Sequence, residues 1–383
     1  MLPLTYAIRN LFRDKSRLIQ TIGGSAIVVL LVMAALALNQ GMARVLSASG
    51  SANNVILLGA GSEESVQRSE VPEQAAAIAA AEIPGVSETM GARAVSTEIH
   101  YMAPLVISDD RELQALYRGV TPAALLTHPE VRLIEGSFPR TNEVMIGRLA
   151  PRQLGVDPAL LEIGDRIRLE NQDLTISGIF AAPGTVMESE IWAPLNDLRT
   201  IAQRENISCV VLRMDDPDDF AEADLFAKRR LDLELSALRE SDYYARLASF
   251  FAPLRAMTWI TAGLIAVGGI FGGLNTLYAA FSSRIREMAT LQAIGFSRTS
   301  LLASLIQEST LACLCGTFLA SLVAVLLLDG LVVPFSIGTF SLEITPKVAF
   351  AGIITGTLLG IIGTLPPAIR CLKPALPVAL RSS

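Results

Sequence analysis

Four long apolar runs, at 18–38, 256–281, 301–328 and 348–366, constrain this chain more than any other feature. Each approaches or exceeds the ~20 residues that an α-helix needs to cross about 30 Å of hydrocarbon. Glu308 is the single charge inside them. A backbone in lipid must satisfy its own hydrogen bonds, so the runs predict four transmembrane helices. Composition agrees, since 18% of residues are charged against about 25% in an average soluble domain.

Basic residues set the orientation. Arg9, Arg13, Lys15 and Arg17 precede the first run, Arg284, Arg286 and Arg298 stand between the second and third, and Arg370, Lys373 and Arg381 follow the fourth. Residues 329–346 contain no Lys or Arg. Positive-inside bias therefore places both termini and the 282–299 segment in the cytoplasm. The expected layout is an amphipathic segment at 1–17, spans at 18–40, 256–281, 300–328 and 347–369, an extracytoplasmic loop at 329–346 and a cytoplasmic tail at 370–383. Residues 41–255 then lie outside. They carry 20 Lys and Arg against 32 Asp and Glu, which argues against a nucleic-acid partner.

Residues 17–40 share a basic flank, an apolar core and the pattern Ala35-Leu36-Ala37 with a cleaved signal peptide. The run is long for such a signal, and four basic residues lie ahead of it, so it is read as a retained span. Cleavage would not change the side on which 41–255 lies. Ahead of it, Leu4, Ala7, Ile8, Leu11 and Leu18 share one helical side while Arg9, Arg13 and Arg17 point away, and Pro3 suits a first turn. This segment is either an amphipathic helix on the inner membrane face or a plain basic anchor.

The exported segment reads as α+β. Strands are expected at 54–58, 92–102 and 208–214, and helices at 72–81 and 218–231. Between them, at about 116–195, lies a β-rich insertion with short strands at 117–120, 143–146, 165–169 and 174–180, making the outer domain discontinuous. Residues 233–255 read as a helix running straight into the second span, a stiff connection. The fold class is thus an α-helical membrane protein with four transmembrane helices plus an extracytoplasmic α+β domain.

Of the four cysteines, only Cys209 lies in the exported segment, so no disulfide can close there. Cys313 and Cys315 face different sides of a helix, and no metal site is expected. His100 and His128 sit in no recognisable metal or nucleophile motif, and Asp215 to Asp219 looks like a solvated turn. No G-x-x-x-x-G-K-[ST] loop occurs, so ATP binding of that kind is not expected, and no catalytic constellation points to an enzyme.

Two further patterns stand out. Gly352, Gly356 and Gly360 repeat every four residues in the fourth run, and Gly268, Gly269, Gly272 and Gly273 crowd the second. Small faces let helices approach closely, within one chain or between subunits. Glu308 is costly inside a span, which suits either a basic partner in the cytoplasmic layer or solvation near the inner leaflet.

Between the second and third runs stands Ser283-Arg-Ile-Arg-Glu-Met-Ala-Thr-Leu-Gln-Ala-Ile-Gly-Phe-Ser-Arg298, helical in composition up to Gly295. Here the sequence resembles the MacB/FtsX-type ABC permease family. Arg286, Glu287, Leu291, Ala293, Gly295 and Glu308 match its pattern, whereas Met288, Ala289 and Gln292 depart from it. Gln292 removes a positive charge often present in the family. The order of one span, a large exported domain and three spans extends the resemblance over the whole chain, as do the passages 165–180 and 191–195 and the ending at 366–380.

The resemblance implies a permease in the bacterial cytoplasmic (inner) membrane, working as a dimer with a second copy or a paralogue. A separate ABC ATPase subunit would bind the ATP and dock on a coupling segment comprising Arg284, Arg286, Glu287, Leu291, Ala293 and Gly295. No cofactor of the chain's own is implied. The implied function is ATP-driven export or extraction of an amphiphilic substrate such as a drug, lipid, glycolipid, peptide or lipoprotein. Membrane lipids and, in an efflux branch, a periplasmic adaptor would be further partners. The rival is an FtsX-like regulator that activates an exported partner, such as a cell-wall hydrolase, without transport.

Overall fold

The computed structural model describes residues 4–107, 111–335 and 338–373. Pro3 and the tail beyond Lys373 lie outside them. The chain forms two compact units, the first comprising Met1–Gly41, Pro253–Leu331 and Ser341–Ser383. Four helices in the structure are long and apolar enough to cross a membrane: Lys15–Ser49, Ala252–Ser282, Arg298–Leu328 and Pro346–Leu372. At 1.5 Å per residue the first is about 52 Å long, well beyond the ~30 Å of hydrocarbon. Helix starts are capped: the Ser297 hydroxyl accepts from the Ser300 amide at 3.2 Å and that of Thr345 from the Val348 amide at 3.3 Å.

The N-terminal helix is shorter than expected. It covers Leu4–Leu11 and a turn separates it from Lys15, so 3–17 is not one continuous helix. Ala7 and Leu11 are its buried side chains, packed towards the third span, while Ile8 is 40% exposed.

Small residues set the bundle's spacing. A Cβ on Gly360 would lie 2.6 Å from Thr310 Cα and one on Gly352 2.9 Å from Met33 Sδ, while one on Gly356 would overlap Thr317 Oγ1. The Gly352, Gly356 and Gly360 face is therefore buried against the chain's own first and third spans. The second span differs. Only 6% of its most apolar stretch is buried, against 33–39% in the others, and nothing lies near Gly268, Gly272 or Gly273.

The second unit comprises Met42–Ala252 and Val332–Phe340. Its strands are β1 (Asn54–Gly59), β2 (Glu88–Thr89), β3 (Ala92–Arg93), β4 (Val95–Val106), β5 (Glu112–Val120), β6 (Arg132–Gly136), β7 (Glu143–Gly147), β8 (Arg166–Leu169), β9 (Gln172–Ala181), β10 (Ile191–Pro194), β11 (Cys209–Arg213), β12 (Leu235–Arg239), β13 (Val332–Phe335) and β14 (Gly338–Ser341). Ten of them form one sheet in the order β12-β1-β11-β4-β5-β10-β7-β9-β6, with β8 against β4 and β9. The long β4 joins its halves. Val95 to Glu98 pair with β11, and Ile99 to Val106 pair with β5. The insertion is thus hydrogen-bonded into the base sheet, and one core of Leu57, Ile99, Tyr117, Ile146, Leu174 and Ile191 runs through both.

One expectation fails here. Residues 235–239 are strand, not helix: β12 pairs antiparallel with β1, Leu238 opposite Ile56. The helix begins only at Glu240, ends at Phe250, and Phe251 separates it from the helix Ala252–Ser282. Pairing with β1 overrides a Leu- and Ala-rich composition that would otherwise suit helix. The loop at 329–346 carries two short strands among its described residues. Its strands β13 and β14 pair, and Phe335 and Phe340 pack with Met42, Val45, Leu46 and Tyr244.

Candidate functional site

The segment between the second and third spans forms a helix, Ile285–Ala293, closed by Gly295 at φ 111°. That left-handed conformation costs glycine nothing, which is why the turn falls there. Of the six residues marked by sequence, Arg286, Ala293 and Gly295 are exposed, and Ile294 beside them is 71% exposed. Arg284, Glu287 and Leu291 are partly buried. Leu291 packs against a cluster of Leu277, Phe281, Met288, Leu301 and Leu305, so it fixes the helix to the spans. Arg286 and Ile294 are among the side chains that the segment presents outward.

Glu308 is 1% exposed and accepts from two guanidiniums, those of Arg17 and Arg284. The Arg284 Nη1 contacts are 3.3 Å to each carboxylate oxygen. Arg284 also reaches Glu287 at 3.2 Å, and Glu287 meets Arg13 at 2.8 Å. The Arg17 guanidinium lies 5.7 Å from the centre of the Phe281 ring.

A second constellation, missed by sequence reasoning, lies inside the sheet unit. Arg118 on β5 donates through Nε and Nη2 to both oxygens of Glu190, each at 2.7 Å, and through Nη1 to Glu98 on β4, also at 2.7 Å. Glu98 holds His128 Nε2 at 2.9 Å with its other oxygen. Trp192 donates its indole N–H to Glu190 at 3.0 Å. Glu240 accepts from the Asn54 amide at 2.9 Å and the Ser51 backbone at 3.0 Å. All five charged groups are buried.

Burial raises the pKa of Glu98, but Arg118 and His128 outweigh it and hold the carboxyl well below its usual range. Burial also works against charge on His128, yet Glu98, Glu130 and Glu240 outweigh it and push the imidazole up to about 10. Burial and Arg118 lower the pKa of His100. For Glu240 burial dominates and the pKa is raised. The only sequence signal was a charge set within apolar strands, as Glu98 is in β4 and Arg118 in β5.

Glu98, His100 and Cys209 bring ligand atoms within 4.8 Å of one another. Metal chemistry does not fit them well. Both oxygens of Glu98 already hold cations, and a metal ion would have to displace the buried guanidinium. Cys313 is buried and Cys315 exposed, so that pair is splayed as expected.

The family model of the MacB-like periplasmic core domain matches residues 18–224, and that of the FtsX-like permease C-terminal domain matches residues 259–376. The chain belongs to the MacB/FtsX-type permease family. Among solved structures, the periplasmic region of MacB from Actinobacillus actinomycetemcomitans is 10% identical, covering 53% of this chain and 94% of its own, at a TM-score of 0.39. The extracellular domain of the ABC-type transporter YknZ from Gram-positive bacteria is 13% identical, covering 49% of this chain and all of its own, at 0.37. No curated protein matches. The assignment stands on the two family models.

As a MacB/FtsX-type permease, the chain is a membrane protein with an extracytoplasmic domain and an ABC-permease role. In such systems the ATPase activity lies on a separate subunit. The family also implies an ATPase partner and dimerisation in general.

Proposed function

We propose that this permease couples ATP hydrolysis on a separate subunit to export or extraction of an amphiphilic substrate from the bacterial cytoplasmic membrane. The observation that carries the reading is the helix Ile285–Ala293. It is fixed to the spans by Leu291 and Met288, and Arg286 on it and Ile294 at its end are turned outward where a partner can seat them. A charged and an apolar group side by side suit a protein groove better than water or lipid alone. Among the described residues of the spans, the buried carboxylate Glu308 is paired with Arg17 and Arg284, which leaves no free buried carboxylate to line a charged path across the bundle. An amphiphile needs no such path. A periplasmic adaptor is a further partner in the efflux form of this reading.

The test begins with purification of the full chain in mild detergent with nucleotide. Mass spectrometry should identify a bound polypeptide bearing a Walker phosphate loop, and Arg286→Glu combined with Ile294→Asp should release it. Absence of such a subunit from the unmodified complex removes the docking reading. With the complex in proteoliposomes, ATP should drive removal of a labelled lipid or lipopeptide. ATP-dependent activation of an exported hydrolase without movement of amphiphile would replace transport with the regulatory role.

A further inference from the structure

We propose that Glu308 is the shared acceptor of a clamp that binds the N-terminal arm and the head of the first span to the coupling helix, so that the three move as one body. The functional meaning rests on the docking reading above, whereas the clamp itself rests on geometry. The ion pairs alternate in sign along Arg17, Glu308, Arg284, Glu287 and Arg13. The series starts and ends in the same N-terminal arm, so it closes into a ring. A ring resists rotation of the arm about either single attachment, as one pair alone would not.

Burial makes the ring hard to leave. Glu308 is 1% exposed, and Arg17 and Arg284 are 12% and 13% exposed in their side chains. Separating the arm would leave Glu308 with Arg284 alone in a dry site, and losing one partner of a buried ion pair is unfavourable. Apolar contacts reinforce the ionic ones. Ala7 and Leu11 bury the arm towards the third span, and Arg17 lies over Phe281 at the end of the second. The arm is therefore built into the bundle rather than laid on the lipid surface.

The consequence concerns which spans are driven. Chain connectivity links the coupling helix only to the second and third spans. Through Arg17, which sits in the first turn of the helix Lys15–Ser49, the ring adds the first span. A displacement entering at the helix Ile285–Ala293 then reaches the first three spans through chain and ring, and the fourth through the packing of Met288 and Leu291 in one cluster with Ala368, Cys371 and Leu372.

Spin labels at Arg9→Cys and Thr290→Cys test this, in the full chain with Cys209, Cys313, Cys315 and Cys371 replaced by Ser. In lipid nanodiscs without any partner, the distance distribution should be narrow, and Glu308→Gln should widen it at least twofold. Arg17→Gln should do the same if Glu308→Gln does not fold, and Arg17→Lys should restore most of the sharpness. Unchanged width in both neutral variants overturns the clamp whatever the partner does. With the copurified ATPase present, the mean distance should stay constant between nucleotide-free and vanadate-trapped states. A change approaching one helical turn, about 5.4 Å, overturns the single-body movement even if docking is sound. Failure to recover any ATPase removes the docking reading and leaves the partner-free result to judge the clamp.

Discussion

Replacing Arg118 by Met should destabilise the extracytoplasmic domain more than any surface change. The guanidinium makes three bonds of 2.7 Å to two buried carboxylates. Removing it leaves Glu190 with only the indole N–H of Trp192, and Glu98 with His128 and, at 3.4 Å, His100. Loss of one partner of a buried pair costs about 3–5 kcal/mol. With a urea dependence of about 3 kcal/mol per molar for a domain of this size, the midpoint should fall by roughly 1–1.7 M. The chain has two tryptophans, so Trp259→Phe leaves Trp192, inside the cluster, as the reporter. Unfolding of the full chain in detergent micelles, followed by its fluorescence, gives the shift. Adding Glu190→Gln to Arg118→Met should recover about half, because the amide still accepts from Trp192 and no carboxylate is stranded without a cation. A midpoint change below about 0.3 M for Arg118→Met would falsify the claim that this cluster is dry and tightly coupled.

Three other outcomes are expected. His128, raised to about 10 in the folded chain from 6.5, contributes stability that is fully present below about pH 6.5 and lost as pH rises towards 10. Unfolding free energies from urea titrations across that window should decline by up to about 1.4 kcal/mol per pH unit, and the decline should vanish in His128→Gln. Gly360→Ala should lower the thermal stability of the bundle by about 1–3 kcal/mol, because its Cβ meets the Thr310 backbone, whereas Gly272→Ala, which meets nothing, should be neutral. Equal effects from the two would mean that the glycine face of the fourth span is not what sets its packing. Finally, Ser62→Cys should react with an impermeant thiol reagent in intact spheroplasts and Ser383→Cys should not; the reverse pattern inverts the topology.

The spans were legible because lipid leaves little choice: apolar runs of that length have one stable backbone solution. Strands β1, β7, β9 and β11 were legible too, being short apolar runs bounded by turn residues. What escaped was everything fixed by distant partners. β12 carries a helix-like composition and became strand because β1 offered an unpaired edge. By contrast, the turn after Leu11 and the break at Phe251 carry local signals that went unused, the Asp14 side chain that accepts from the Arg17 amide at 3.2 Å and Pro253 two residues beyond Phe251. The buried ion cluster draws on Glu98, Arg118, His128, Glu190 and Glu240, scattered over a long stretch of chain. Apart from Glu98 and Arg118, set among apolar strand residues, each looks like an ordinary surface charge until the sheet brings them together. The coupling segment was visible as a pattern, but which of its side chains turn inward depended on Glu308 and Arg13, far away in sequence.

The dual role of β4 bears on how such a domain can change over time. A module that can be cut out or exchanged must leave its host's hydrogen bonds intact. Here the strand that closes the base sheet at Glu98 opens the insertion sheet at Ile99, with no residue between. A one-residue slip at the junction would turn Glu98 and His100 out of their shared face and drive apolar neighbours into it, on both halves together. The two lobes are thus held to a common register. Neither can be shortened, shuffled or grafted without rebuilding the other, so variation should gather in the turns between the strands and leave this junction alone.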